Sequence, residues 1–473
     1  MATKRDLFQS YQFSLRRVVS GLVLRETDPA QTPLRRMGGA MFGSVMVAVL
    51  ALAVTGVIGV IKGGGNTTWK DAGAVIIEEE TGATYAWLED PETREFALHP
   101  VLNYASAALL VGNPTPVSVS QASLADAPRG PRLGIAGAPD SIPQPDSFLA
   151  DPWVMCSGLT KTETGDLTPR TTLLVGQSDP GGNPIGDGSL LLADMNSDAV
   201  YLVWHGHRFL LPDPDPAITA LGLRDAPQIE VGRALLDSLP EGQEIKPLTT
   251  SSAGQSSSAV KQYKVGQVLV DDTTKQFYLV RKNDLRNISE VEANVTLSAP
   301  GTSAAYDGKS PTAIEVDNAV VTAAPREDLP PPSFDDAPRD IPTPAQVSSA
   351  SSTVCASLGS NSAELDVAVD PSTEDDQYAL ATPQRTSNGT VLADQVLVRG
   401  GHAVYVRSAQ SPTATDGALY LVTDEGVRFA VPGEQAAAAL GLDQVTPVTM
   451  PATLVARIPE GPALDPVSAR VSG

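Results

Sequence analysis

Three groups of residues in this 473-residue chain have types and spacings that could do chemistry: Gly308-Lys309-Ser310, the pair His205 and His207, and the cysteines Cys156 and Cys355. The first group would bind phosphates if it closed a P-loop, G-x-x-x-x-G-K-[ST], in which backbone N–H groups after a strand wrap the phosphate oxygens. Position 303 is Ser where that pattern needs Gly, the next upstream glycine is Gly301, and Pro311 follows at once. The triplet therefore reads as a solvated turn, with nucleotide binding by Gly308, Lys309 and Ser310 as the alternative. His205 and His207 alternate like metal ligands, but they fall at an expected hairpin turn, and the other two histidines are His99 and His402. No metal site, cofactor or catalytic residue is expected. With four histidines and no G-x-S-x-G, a serine or cysteine hydrolase has no support. The many Asp and Glu residues mark out no catalytic pair and read as a charged surface.

The chemistry of the cysteines depends on where the chain places them. The 33 Lys and Arg against 55 Asp and Glu give a net charge of −22 and speak against a nucleic-acid-binding surface. Residues 1–36 hold seven basic and three acidic residues, a net of +4, which leaves −26 for the remainder. Between the two lies the uncharged run Met37 to Ile61, 25 residues, longer than the ~20 that cross a bilayer core as a helix. Within it Gly39 and Gly43 fit G-x-x-x-G, a helix-packing pattern. Arg35 and Arg36 precede the run, so the N-terminus is expected in the cytoplasm and residues 62–473 outside it. A cleaved signal peptide is the rival reading, but the site-like Ala51-Leu52-Ala53 lies in mid-run and the apolar stretch is too long. In an oxidising exported compartment Cys156 and Cys355 are expected to be joined, two buried thiols being the alternative. In the arm, Leu7, Tyr11, Leu15, Val18 and Leu22 recur on one helical face flanked by Arg16 and Arg17, suited to a membrane surface or a partner subunit.

The exported part repeats. Tyr201-Leu202-Val203, Arg208-Phe209, Ala220-Leu221-Gly222-Leu223 and Pro240-Glu241-Gly242 recur in order as Tyr420-Leu421-Val422, Arg428-Phe429, Ala439-Leu440-Gly441-Leu442 and Pro459-Glu460-Gly461. Fainter copies surround Tyr85 and Tyr278, the latter with a short helix expected near Leu285. Each unit reads as two or three antiparallel strands and one short helix, with Asp215 as N-cap and Gly222 as stop in the second unit. Gly (40) and Pro (39) suit many short strands better than long helices. The spacings of the tyrosines, 116, 77 and 142 residues, exclude a solenoid of fixed period. Ser251 to Ser258 and the proline-rich run Pro325 to Pro344 read as linkers.

This layout resembles the EccB family, membrane components of the type VII (ESX) secretion system. Gln9-Ser10-Tyr11-Gln12-Phe13 with Arg16-Arg17, Pro33-Leu34-Arg35-Arg36 before the span, the repeat blocks and the two cysteines carry the resemblance. It implies an elongated periplasmic domain within a hexameric translocon built with EccC, EccD and EccE, a core disulfide, and cytoplasmic contacts for the arm. Some members are described as ATPases, so an ATP-hydrolysing component, or a cell-wall-binding module, is the alternative to a structural subunit of the inner membrane that also associates with its own kind. The expected fold is mainly β with short helices (α+β), a single transmembrane helix, and four ββ(β)α-like repeats around a disulfide-linked β-rich core. The expected division is 1–36 amphipathic arm, 37–61 span, 62–120 repeat 1, 121–176 first part of the core, 177–248 repeat 2, 249–325 linker and repeat 3, 326–346 Pro-rich linker, 347–390 second part of the core, and 391–473 repeat 4 and tail.

Overall fold

The structure is a computed structural model, and it describes residues 3–25, 33–63, 67–71, 73–90, 94–150, 152–176, 181–333, 335–358, 366–371, 379–410 and 414–471. Two helices come first. Helix α1, Lys4–Leu24, begins where the Asp6 carboxylate accepts from the Thr3 N–H at 2.9 Å and the Thr3 hydroxyl at 2.6 Å. Its apolar residues Leu7, Tyr11, Leu15, Val18 and Leu22 stay exposed. Helix α2, Pro33–Gly63, starts on a proline, whose missing N–H costs nothing in a first turn. Its 31 residues are roughly 46 Å long, more than the ~30 Å of a bilayer's hydrocarbon core. The stretch Gly38–Val57, with mean hydropathy 2.2, is apolar enough to span.

Beyond α2 the described residues form five sheets, four of which share one plan. In unit 1, Val75–Glu78, Thr84–Glu89 and Phe96–Pro100 form an antiparallel meander, followed by helix Tyr104–Val111. The chain then returns as Pro116–Val119, parallel to the first strand, and ends in helix Gln121–Leu124. Unit 2 repeats this with Ser189–Asp194, Val200–Trp204, His207–Leu211, helix Pro214–Ala220, Gln228–Val231 and helix Arg233–Ser238. Unit 3 uses Val268–Asp271, Phe277–Val280, Leu285–Ile288, helix Glu290–Ser298, Ile314–Val316 and helix Asn318–Ala323, and adds Arg326–Glu327 at its edge. Unit 4 uses Ala403–Ala409, Ala418–Thr423, Arg428–Ala430, helix Gly433–Ala439, Val448–Pro451 and helix Ala452–Val455. Tyr85, Tyr201, Tyr278 and Tyr420 all lie on second strands.

The plan is longer than the sequence reading allowed. A parallel neighbour needs a crossover, and the first helix of each unit supplies it, so a fourth strand and a second helix complete every unit. Leu285 lies in a strand, with the helix starting at Glu290. The N-cap of helix Pro214–Ala220 is Asp213 rather than Asp215, while Gly222 is its stop, at φ +68°. The Ser251–Ser258 segment is packed rather than free: Ser257 is buried, and its hydroxyl donates to the Arg281 carbonyl at 2.9 Å.

The fifth sheet is the centre, in the order Leu380–Ala381, Gln395–Val398, Leu167–Val175, Trp153–Lys161, Val354–Leu358, Asp366–Val369 and Asn183–Pro184. Side chains alternate across it. Trp153, Met155, Val354 and Ala356 join one buried cluster with Leu192, Val203, Leu235 and Leu236 of unit 2 and Val404, Val406, Met450 and Leu454 of unit 4. Val154, Cys156, Leu174 and Cys355 point to the other face. Units 2 and 4 are therefore the inner units, and each carries an outer one. Ala217 and Ile218 of unit 2 pack with Val291 and Val295 of unit 3. Ala436, Ala439 and Leu440 of unit 4 pack with Ala105, Ala108 and Leu109 of unit 1, under the tail residues Leu464 and Ala469.

Candidate functional site

The centre is built by two strands from distant parts of the chain. Trp153–Lys161 and Val354–Leu358 pair antiparallel with Cys156 opposite Cys355, and the two are joined as a disulfide with Cα atoms 4.0 Å apart. The 199-residue separation encloses all of units 2 and 3. Closing so long a loop stabilises by up to about 5 kcal/mol in the chain-entropy model.

Above the sheet the two inner units meet through their second helices. The Thr453 hydroxyl donates to the Ser238 carbonyl at 3.3 Å, and Asp237 takes three guanidinium groups: Arg233 at 2.9 Å, Arg208 at 3.4 Å and, from the other unit, Arg457 at 3.4 Å. Arg457 also donates to the Val391 carbonyl at 2.7 Å. The seam arises from a difference between equivalent positions. In the two Pro-Glu-Gly blocks Asp237 stands where unit 4 has Ala456, and Arg457 where unit 2 has Ser238. Burial pushes the Arg457 guanidinium below its ordinary value against the pull of Asp237, and Arg428, Arg208 and Arg233 push it the same way as burial. For Arg233 burial also works against the charge, yet Asp237 and Asp194 outweigh it and the group is raised. Sequence reading missed this seam; its signal was the one-residue offset of opposite charges ahead of two otherwise matched blocks.

Each unit is closed by one more device. The segment after the second helix runs beside the third strand, pairing Arg129 with Leu98, Glu241 with Arg208, Arg326 with Leu285 and Glu460 with Arg428. In the inner units Arg208 and Arg428 lie 5.3 and 4.9 Å from the rings of Tyr201 and Tyr420, while Glu460 holds Arg428 at 2.8 Å. In unit 1 the guanidinium over Tyr85, at 5.1 Å, is Arg129 of the closing segment. In unit 3 burial raises the Tyr278 phenol, and Arg326, again of the closing segment, opposes that rise.

Other residues singled out by sequence lie apart from this seam. Gly308, Lys309 and Ser310 form an exposed turn between the 3-10 helix Pro300–Tyr306 and strand Ile314–Val316. The Gly308 N–H donates to the Ser303 carbonyl at 2.9 Å and the Lys309 N–H to the Tyr306 carbonyl at 3.0 Å, so these amides are occupied by the turn itself. A P-loop runs from a strand into a helix, and this segment has neither flank. His205 occupies the hairpin turn at φ +47° with Nε2 3.4 Å from Asp187, and His207 opens the third strand with Nδ1 2.9 Å from the His205 carbonyl. His99 and His402 bind the carbonyls of Pro131 and Gly400. Among the described residues no three His, Cys, Asp or Glu side chains gather as metal ligands.

The chain as a whole is similar to known proteins in sequence and in fold. Residues 1–473 match the family profile described as type VII secretion system ESX-1, transport TM domain B. The chain is 30% identical over 406 residues to the Mycobacterium tuberculosis protein named ESX-2 secretion system ATPase EccB2, covering 83% of this chain and 80% of that one. It is 27% identical over 501 residues to the ESX-3 secretion system ATPase EccB3 of the same organism, covering 97% and 88%. Among solved structures, a chain of an intact ESX-5 inner membrane complex superposes with a TM-score of 0.61 at 23% identity, covering 100% of this chain and 96% of that one. A chain of the EccB3 dimer from the ESX-3 core complex superposes with a TM-score of 0.59 at 24% identity, covering 84% and 100%.

Proposed function

The chain belongs to the EccB family of type VII secretion systems, and from that premise we propose that it is a structural membrane subunit of an ESX translocon. Helix α2 is its anchor in the inner membrane, with α1 on the cytoplasmic side and the five sheets on the periplasmic side. The observation that carries this reading is the division of labour along the chain. One exposed apolar helix precedes a body whose inner units are fixed to a disulfide-linked sheet and to each other. Such a body holds its outer units at set positions for neighbouring subunits, copies of itself and EccC-, EccD- and EccE-like partners. The apolar stripe of α1, flanked by Arg16 and Arg17, is the cytoplasmic docking element. The division of the chain into arm, span, core and repeats stays part of this proposal, with each repeat read as four strands and two helices and repeat 1 extended to its second helix, Gln121–Leu124.

Deleting the gene from a strain that uses this system is expected to stop export of the system's substrates, and the full chain is expected to restore it. Undiminished export in the deletion strain would contradict a translocon role. The relatives' names raise a second reading, an ATP-hydrolysing component. Restoration of export by Lys309→Ala sets aside phosphate binding at Gly308-Lys309-Ser310, and failure of a well-folded Lys309→Ala chain supports it.

A further inference from the structure

Where the central sheet meets unit 2, the far end of the hairpin Trp153–Lys161/Leu167–Val175, the start of helix Arg233–Ser238 and the segment 384–394 enclose a groove of about 610 Å³. It shares Asn196, Arg233, Arg385 and Val391 with a second hollow of about 460 Å³ that ends on Arg457. The chain carries a net charge of −22, yet Arg170, Arg233 and Arg385 all line the groove.

The carboxylates nearby are already committed. Asp394 accepts from the Thr171 N–H and hydroxyl, both at 2.7 Å. Asp194 holds Arg233 at 3.3 Å and accepts from the Ser197 hydroxyl, and Asp237 serves Arg208, Arg233 and Arg457. Arg385 is steadied by the Gly389 carbonyl at 3.2 Å, and neither it nor Arg170 has a carboxylate partner among the described residues. Two guanidinium groups without a carboxylate partner and a third fixed by two acids thus line one groove with Thr162, Thr168 and Asn196. Guanidinium forks recognise planar or tetrahedral oxyanions by paired hydrogen bonds, and a partly enclosed site strengthens them relative to open water. The volume suits a small ligand rather than a polymer strand.

We propose that this groove is a binding site for a small oxyanion, a phosphate- or carboxylate-bearing molecule held by Arg170, Arg233 and Arg385. Arg457 adds positive potential from the back of the site, while the threonine hydroxyls and Asn196 complete the polar contacts. The proposal stands apart from the secretion role and from the Gly308-Lys309-Ser310 turn, which lies in unit 3.

The test is calorimetric titration of the full-length chain in detergent with pyrophosphate and, separately, with citrate, at an ionic strength that shortens long-range attraction to about 8 Å. Saturable binding of at least one anion is expected, and the stronger of the two identifies the ligand's group. Arg170→Gln and Arg385→Gln, both at exposed side chains, are each expected to weaken it by about tenfold or more. Arg399→Gln, an exposed arginine outside the groove, is expected to leave it unchanged. Failure of both anions to bind would overturn the proposal. So would binding that survives Arg170→Gln and Arg385→Gln, or that falls equally in Arg399→Gln.

Discussion

Inner and outer units solve the same problem with different residues. Each places a positive charge near the second-strand tyrosine, but units 2 and 4 take it from the third strand, Arg208 and Arg428, and units 1 and 3 from the closing segment, Arg129 and Arg326. At the vacated positions stand Leu98 and Leu285 on the third strands of the outer units, and Glu241 and Glu460 in the closing segments of the inner ones. In units 1, 2 and 4 the guanidinium lies over the tyrosine ring, in unit 3 Arg326 acts on Tyr278 through its charge, and the covalent origin of the arginine moves between two neighbouring segments. A second exchange travels with it. Where the next third-strand residue is a ring, His99, Phe209 or Phe429, the closing segment has glycine, because a Cβ on Gly130, Gly242 or Gly461 would stand 2.2, 2.2 and 2.3 Å from that ring. Unit 3 has Arg286 there and tolerates Glu327. Spatial role, rather than sequence position, is what the four copies share.

Substitutions separate the inner from the outer units by effects of graded size. The largest effect is expected at the centre that both inner units share. Replacing Cys156 and Cys355 with Ser should lower stability by about 2–5 kcal/mol in denaturant unfolding, and a loss no larger than for an exposed serine substitution would show that the sheet holds without the crosslink. Next comes the seam. Asp237→Ala leaves Arg208, Arg233 and Arg457 without their shared carboxylate and should cost about 3 kcal/mol, and a milder Asp237→Asn is expected to fall between. Gly242→Ala or Gly461→Ala should cost about 1–3 kcal/mol by overpacking against Phe209 or Phe429, relieved when the ring is also shortened to Leu. Glu327→Ala in unit 3 meets no ring and should cost about 1 kcal/mol or less, through its exposed ion pair with Arg281. Smallest, and most specific, is a transplant. Arg428→Leu with Glu460→Arg gives unit 4 the outer-unit arrangement and should recover about 1 kcal/mol of the loss caused by Arg428→Leu alone.

The exchange also explains what could be read from sequence. Units 2 and 4 were legible as a pair because both keep Arg-Phe on the third strand and Pro-Glu-Gly in the closing segment. Units 1 and 3 showed their tyrosine, flanking strands and a following helix but not the matched blocks, since their arginines stand about thirty to forty residues further along the chain, in Pro128-Arg129-Gly130 and Pro325-Arg326-Glu327. The fourth strands, such as Gln228–Val231 and Val448–Pro451, are four residues long and pair in parallel across a helix, so no hairpin turn marks them. The cysteine pair was legible from compartment and count, and its register on adjacent strands only from the fold. The two N-terminal helices were legible because periodicity and an unbroken apolar run suffice to mark them. The oxyanion groove left no local trace, because Arg170, Arg233 and Arg385 come from three distant segments.

On the proposed reading, this chain works as a built-in part of a membrane assembly. Gentle detergent extraction of the native chain, followed by a mass measurement of the purified species and identification of every co-purifying protein, tests it most directly. A particle several times the 49.3 kDa of one chain, carrying other type VII membrane components, is the expected result. A lone chain in its micelle under the same conditions would contradict it.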